Sequence, residues 1–177
     1  MTLAANRSTL LLIDLQRRLM PSIAGGEAVV ANARRLAEAA RLLDVPVLAT
    51  EQNPGGLGGN VQEIAALASR TLAKNFFDAT REAAFETFLP AARLKVVVAG
   101  CETHVCVMQT VLGLLRQGRS VALVSDAVGS RTNASRDAAL ARAKAHGAEL
   151  VTTEMVVFEW LETSDHPRFR EALRLVK

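Results

Sequence analysis

Two hydrophobic rhythms alternate along the chain. Short apolar runs at Thr9–Ile13 (TLLLI), Val45–Thr50 (VPVLAT), Thr71–Ala73, Lys95–Gly100, Val121–Asp126 and Glu149–Val151 predict six strands. Between them, apolar residues recur every three or four positions. In Glu27–Leu43 these are Val30, Ala33, Ala37, Ala40 and Leu43, with Arg34, Arg35, Glu38 and Arg41 on a wet face. Further helices are predicted at Val61–Ala68, at Arg81–Leu89 ended by Pro90, at Thr103–Gln117 stopped by Gly118, and at Ala134–His146 stopped by Gly147. Thr153 is expected to cap a helix bearing Met155–Leu161, and His166-Pro167 to open a last one. Gly113, inside a helix where it weakens the element, points to close packing on a neighbour.

Regular β/α alternation predicts an α/β fold: a three-layer α/β/α, doubly wound, mainly parallel sheet of six strands, Rossmann-like, as one domain over residues 1–177. In such sheets ligands bind at the carboxyl ends of the strands, near the point where strand order reverses. The glycine fingerprint of dinucleotide binding is missing after the first strand, where Asp14-Leu15-Gln16-Arg17 follows Ile13.

Composition narrows the function classes. Half of the 177 residues are apolar, so a substantial core is expected rather than disorder. No apolar run approaches the roughly 20 residues of a membrane helix. The opening MTLAANRSTLLLID lacks the features of a secretory signal, so a cytoplasmic location and no membrane partner are expected. The net charge of +3 is spread over helices instead of gathered in a stripe, aromatics are 4%, and there is no Tyr. No nucleic-acid partner is therefore expected. The two cysteines, Cys101 and Cys106, form neither a disulfide framework nor a CxxC pair.

Three chemistry-bearing residues fall at strand ends. Asp14 follows the first strand, Lys74 the third, and Cys106 lies past the polar turn Glu102-Thr103-His104 after the fourth. There a helix N-terminus would aim free N–H groups at a thiolate. Asp14 and Lys74 have plainer readings, as a turn cap and a solvated cation, and Phe76 and Phe77 could be core instead of pocket. Glu51–Asn60 (EQNPGGLGGN) is the one irregular stretch, either a mobile loop over a pocket or a connector or subunit contact. The run Cys101-x-x-His104-x-Cys106 lacks zinc-site spacing and a fourth ligand.

The segments LLIDLQ, LAKNFFDAT and GCETHVCV, followed by VSDAVGSR, resemble the isochorismatase-like cysteine hydrolase superfamily, which includes nicotinamidases and N-carbamoylsarcosine amidase. The likeness runs in order over nearly the whole chain, and the loop TEQNPGGLGGNVQEI is most similar to the isochorismatase-domain subgroup of unassigned substrate. The resemblance implies a triad of Asp14, Lys74 and Cys106. Lys74 and the helix N-terminus would stabilise the thiolate, Asp14 would accept the proton, and a thioester would form from a small amide-type substrate. It also implies an oxyanion hole from the backbone N–H groups of Glu102 and Cys106, with a non-proline cis peptide between Cys101 and Glu102. Gln16, Phe76, Thr103 and His104 are the expected substrate-binding residues. Metal-binding relatives carry Asp-x-His where this chain has Glu51-Gln52-Asn53, so no metal and no cofactor are expected. Isochorismatases that cleave a vinyl ether lack the cysteine, which favours acyl chemistry here. A homo-oligomer, dimer or higher, is implied by the resemblance and by the apolar segment Met155–Leu161. A catalytically weak relative acting as a small-molecule-binding or structural homo-oligomer is the competing expectation.

Overall fold

The computed structural model describes residues 2–177. Six strands, β1 (Ser8–Ile13), β2 (Val47–Gln52), β3 (Arg70–Lys74), β4 (Lys95–Cys101), β5 (Ser120–Gly129) and β6 (Glu149–Val151), pair in parallel in the order β3-β2-β1-β4-β5-β6. The order reverses at β1, which lies between β2 and β4, and sheets of this kind hold their ligands at that point beyond the strands' carboxyl ends.

All six residues of β1 are buried, as expected of a strand covered on both faces. Alternation divides it between two cores. Leu10 and Leu12 join Val97, Ala99, Ala122 and Val124 under α1 (Gly26–Leu42), α6 (Thr153–Leu161) and α7 (Phe169–Val176). Leu11 and Ile13 join Val96, Val98 and Leu123 under α4 (Met108–Arg116) and α5 (Asn133–Ala145). Two short helices, α2 (Pro54–Leu57) and α3 (Gln62–Ala65), lie between β2 and β3.

The structure departs from the sequence expectation in four places. Arg81–Leu89 is not a helix but holds short 3-10 turns at Ala79–Arg81 and Ala83–Phe85. There Asp78 caps the first turn by accepting from Thr80 N, while Phe85 and Phe88 turn inward together. The Val61–Ala68 helix shrinks to the four residues of α3. The segment after β4 starts as a π-turn, Thr103–Val107, and becomes α-helical only at Met108. Thr152, rather than Thr153, caps α6, its side chain accepting from Met155 N. Trp160 is in the core, whereas Met155 and Phe158 of the same helix are exposed.

Gly113 does sit against a neighbour. A Cβ there would strike the Thr80 hydroxyl and come within 2.5 Å of Asp78 Oδ1. Asp78 also receives Arg116 Nη2 at 2.8 Å, which fastens α4 to the turn after β3.

Candidate functional site

The carboxyl ends of β1, β2, β3 and β4 converge on one buried cluster. Asp14 is the first residue past β1 and takes a positive φ of 49°, a backbone region uncommon for a residue with a side chain. Gly100, its neighbour on β4 and register partner of Ile13, has φ +124°, and a Cβ on it would collide with the Ile13 carbonyl oxygen. The bare backbone of Gly100 thus lets the two strands close beneath Asp14.

The Asp14 side chain does not cap a turn. Its Oδ1 accepts from Thr50 Oγ1 at 2.7 Å and its Oδ2 meets Lys74 Nζ at 2.7 Å, with neither member of the ion pair exposed. Lys74 Nζ also donates to Gln52 Oε1 at 2.6 Å and to the Phe76 carbonyl at 3.4 Å. Cys106, 7% exposed, completes the group, with its Sγ 3.9 Å from Gln52 Oε1.

Burial pushes the Cys106 thiol from 9.0 up to about 12; the Asp14 charge adds to the rise, and Lys74 opposes it without prevailing. Burial thus favours the protonated sulfur in the resting site, against which the stabilisation expected of Lys74 acts. The geometry gives a reason. Cys106 lies in the π-helical first turn after Glu102, two residues before α geometry begins, where it is only 7% exposed. Cys101 is wholly buried and is likewise pushed to about 12, mainly by burial. The Cys101–Glu102 peptide bond is cis. Within the π-turn, the Glu102 carbonyl accepts from Val105 N at 3.1 Å and Val107 N at 3.2 Å, passing over Cys106 between them.

The residues expected to line a pocket divide. Phe76 is 43% exposed, with Arg81 4.5 Å from its ring centroid, and only its carbonyl reaches the cluster, accepting from Lys74. His104 is half-buried and turned to Ser130, its Nδ1 2.9 Å from Ser130 Oγ. Thr103 is fully buried, so it lines no open surface, and its hydroxyl has no partner. Gln16 is also buried and is spent on the chain's own backbone. Its Nε2 donates to the carbonyls of Gln52 and Gly58 at 3.0 and 2.6 Å, and its Oε1 accepts from Gln52 N at 2.9 Å.

Gln16 is thus a clasp for the Gln52–Asn60 loop. Further bonds, Arg17 N to Gly59 O, Arg18 N to Leu57 O and Val61 N to Leu15 O, fasten that loop to the segment after β1. Gln52 and Thr50 are the site residues the sequence reading missed. They share one face of β2 by the two-residue period, and Gln52 is the register partner of Lys74. Among the described residues no group of three His, Cys, Asp or Glu is placed to hold a metal ion. At the position of the metal-binding Asp-x-His, Glu51 is tied to Asn60 and Gln52 to Lys74.

The isochorismatase domain matches residues 8–155. The isochorismatase domain-containing protein 2A of Mus musculus is 39% identical over 170 residues, 96% of this chain and 82% of its own. The solved structure described as MAR1 ribonuclease from Caenorhabditis elegans superposes with a TM-score of 0.93 at 32% identity, over 99% of this chain and 92% of that one. YcaC from Pseudomonas aeruginosa, solved with hexane-2,5-diol and covalent acrylamide, gives 0.90 at 27% identity, over 98% and 91%. With a domain match across most of its length and relatives of this similarity, the chain belongs to the isochorismatase domain family, whose members are generally cysteine hydrolases.

Proposed function

We propose that the protein is a metal-independent hydrolase of a small amide-type substrate, with Cys106 as nucleophile, Asp14 as proton carrier and Lys74 as the cation that orders both. The observation that carries this reading is the fully buried Asp14–Lys74 pair set against a thiol at the switch point of the sheet. Burying two charges costs several kcal/mol per ion, roughly, even before their attraction is counted. A pair enclosed with a nucleophile is better accounted for by chemistry than by stability.

Because the resting sulfur is protonated, proton loss accompanies attack. The S–H proton passes to Asp14 as sulfur bonds to the carbonyl carbon and the C=O electron pair moves onto oxygen. The Glu102 and Cys106 N–H groups are the donors for that oxyanion, a role supported by the bonding pattern that passes over Cys106. Collapse breaks the C–N bond, Asp14 returns the proton to the leaving amine, and a thioester remains. Water then attacks the thioester, giving one proton to Asp14, and the sulfur leaves as it recovers that proton. The balance is amide plus water to carboxylic acid plus amine.

The covalent acrylamide in the Pseudomonas aeruginosa YcaC structure agrees with a nucleophilic side chain in that protein, since acrylamide takes up a nucleophile at its double bond with the amide left intact. A cytoplasmic homo-oligomer with no nucleic-acid or membrane partner is part of the same reading. Exposed Phe76, Phe77, Met155 and Phe158 support the oligomer. Among the described residues no helix is long and apolar enough to cross a membrane.

The test incubates the protein with small amides, hydroxamates, ureides and an RNA oligonucleotide, and follows products and intact mass. An acyl adduct on Cys106, and turnover lost in Cys106→Ala, are expected. Hydrolysis that survives Cys106→Ala, or RNA cleavage without an adduct, overturns the reading. A ligand bound and released unchanged would instead support a binding homo-oligomer, which the nearly closed, protonated Cys106 also suits.

A further inference from the structure

Lys74 and Cys106 share one acceptor. Gln52 Oε1 receives Lys74 Nζ at 2.6 Å and lies 3.9 Å from Cys106 Sγ. The orientation of this amide is dictated by its surroundings. Its Nε2 donates to the Asn75 carbonyl at 2.8 Å, and an –NH2 group turned to the ammonium would set donor against donor. The Gln52 main chain is itself held, its N–H and C=O both taken by the Gln16 side chain.

Lys74 donates to Gln52 Oε1 at 2.6 Å and to the Phe76 carbonyl at 3.4 Å, and forms an ion pair with Asp14 Oδ2 at 2.7 Å. An S–H directed at Gln52 Oε1 makes a weak hydrogen bond. A thiolate in the same place faces the negative end of the amide dipole, and the ammonium that would favour it also donates to that oxygen at 2.6 Å. Gln52 and sulfur therefore compete for one N–H of Lys74.

We infer that Gln52 is a positioning residue that holds the Lys74 ammonium off Cys106 in the resting site and releases it to the sulfur when the thiol proton leaves. The inference deepens the hydrolase reading and rests on it for its place in the cycle. In that step the proton moves from sulfur to Asp14, and one Lys74 N–H exchanges the amide oxygen for the sulfur, with no covalent change at Gln52 or Lys74. The charged groups that act on the thiol are Asp14, past β1, and Lys74, from β3, while the Cys101 thiol on β4 is itself influenced by Cys106. Glu102 is occupied by Arg131 at 3.1 Å and His104 by Ser130 at 2.9 Å.

The experiment measures alkylation of Cys106 by iodoacetamide in the full-length protein between pH 7 and 9.5, located by peptide mass. Gln52→Leu removes the acceptor and leaves the main-chain clasp. A thiol one pH unit more acidic gives tenfold more thiolate, partly offset by lower nucleophilicity, so the rate is expected to rise about three- to fourfold. Gln52→Glu strengthens the acceptor and adds a negative charge, and the rate is expected to fall by at least about as much. Gln52→Met repeats the first arm should leucine pack badly, and urea midpoints are recorded for each variant. In an Asp14→Asn/Lys74→Met background, Gln52→Leu is expected to give no acceleration.

Rate changes in the same direction for Gln52→Leu and Gln52→Glu, or no change in either, would mean a merely structural Gln52 and overturn the inference. Acceleration that persists without Lys74 would overturn the part given to the ammonium. Alkylation needs no substrate. Absence of amide turnover would therefore count against the hydrolase reading alone, and a failed alkylation pattern against Gln52 alone.

Discussion

Asp14 and Lys74 meet at 2.7 Å with neither side chain open to solvent, although sixty residues of sequence separate them. Removing one member leaves the other as an uncompensated buried charge. Lys74→Met should destabilise the protein by about 3–5 kcal/mol, and the neutral double variant Asp14→Asn/Lys74→Met by less than the sum of the single changes. Urea unfolding of the four proteins measures this, and strict additivity would contradict the pairing.

Gly100→Ala places a methyl group into the Ile13 carbonyl oxygen at a residue with φ +124°. A loss of more than about 3 kcal/mol is expected, with β1 and β4 forced apart under Asp14. A thermal melt within a degree or two of the parent would show that this contact is not tight.

Both thiols are pushed from 9.0 to about 12, so folding favours their protonated forms. Their contribution to stability is present in full below pH 9 and is lost as pH rises from there through 12, because the unfolded chain ionises first. Each thiol contributes at most about 1.4 kcal/mol of loss per pH unit. Urea unfolding between pH 8 and 11 should show a shallower fall for Cys101→Ala than for the parent. An unchanged slope would mean that Cys101 ionises in the folded state as easily as in the unfolded one.

Gln16→Leu should free the Gln52–Asn60 loop. The change leaves the Gln52 and Gly58 carbonyls and the Gln52 N–H without their partner, at about 2 kcal/mol or more. Limited proteolysis is expected to cut within Pro54–Gly59 in this variant before the parent is touched, and equal resistance would show the loop to be held by its other bonds.

The legibility of the chain follows how local each feature is. Strand and helix identity depends on periodicities of two and about 3.6 residues, so six strands, their parallel order of succession and the long helices were readable from patterning. Asp14, Lys74 and the Cys106 turn were readable because strand ends are local events, and parallel strands bring those ends to one edge. Two families of features were not readable. The Arg81–Leu89 turns and the π-turn at Thr103–Val107 have helix-like composition, and their form depends on Asp78 capping, the Phe85–Phe88 contact and the bonds that converge on the Glu102 carbonyl. Gln16 reads in sequence as a substrate contact and Gln52 as part of an irregular loop, and only their meeting across β1 and β2, thirty-six residues apart, turns one into a clasp and the other into the shared acceptor. The protonation of Cys106 belongs to the same class. The sequence by itself determined which groups stand at the sheet's edge, whereas tertiary structure decided how deeply each is buried and which partner each faces, because desolvation and hydrogen bonding depend on neighbours distant in the chain.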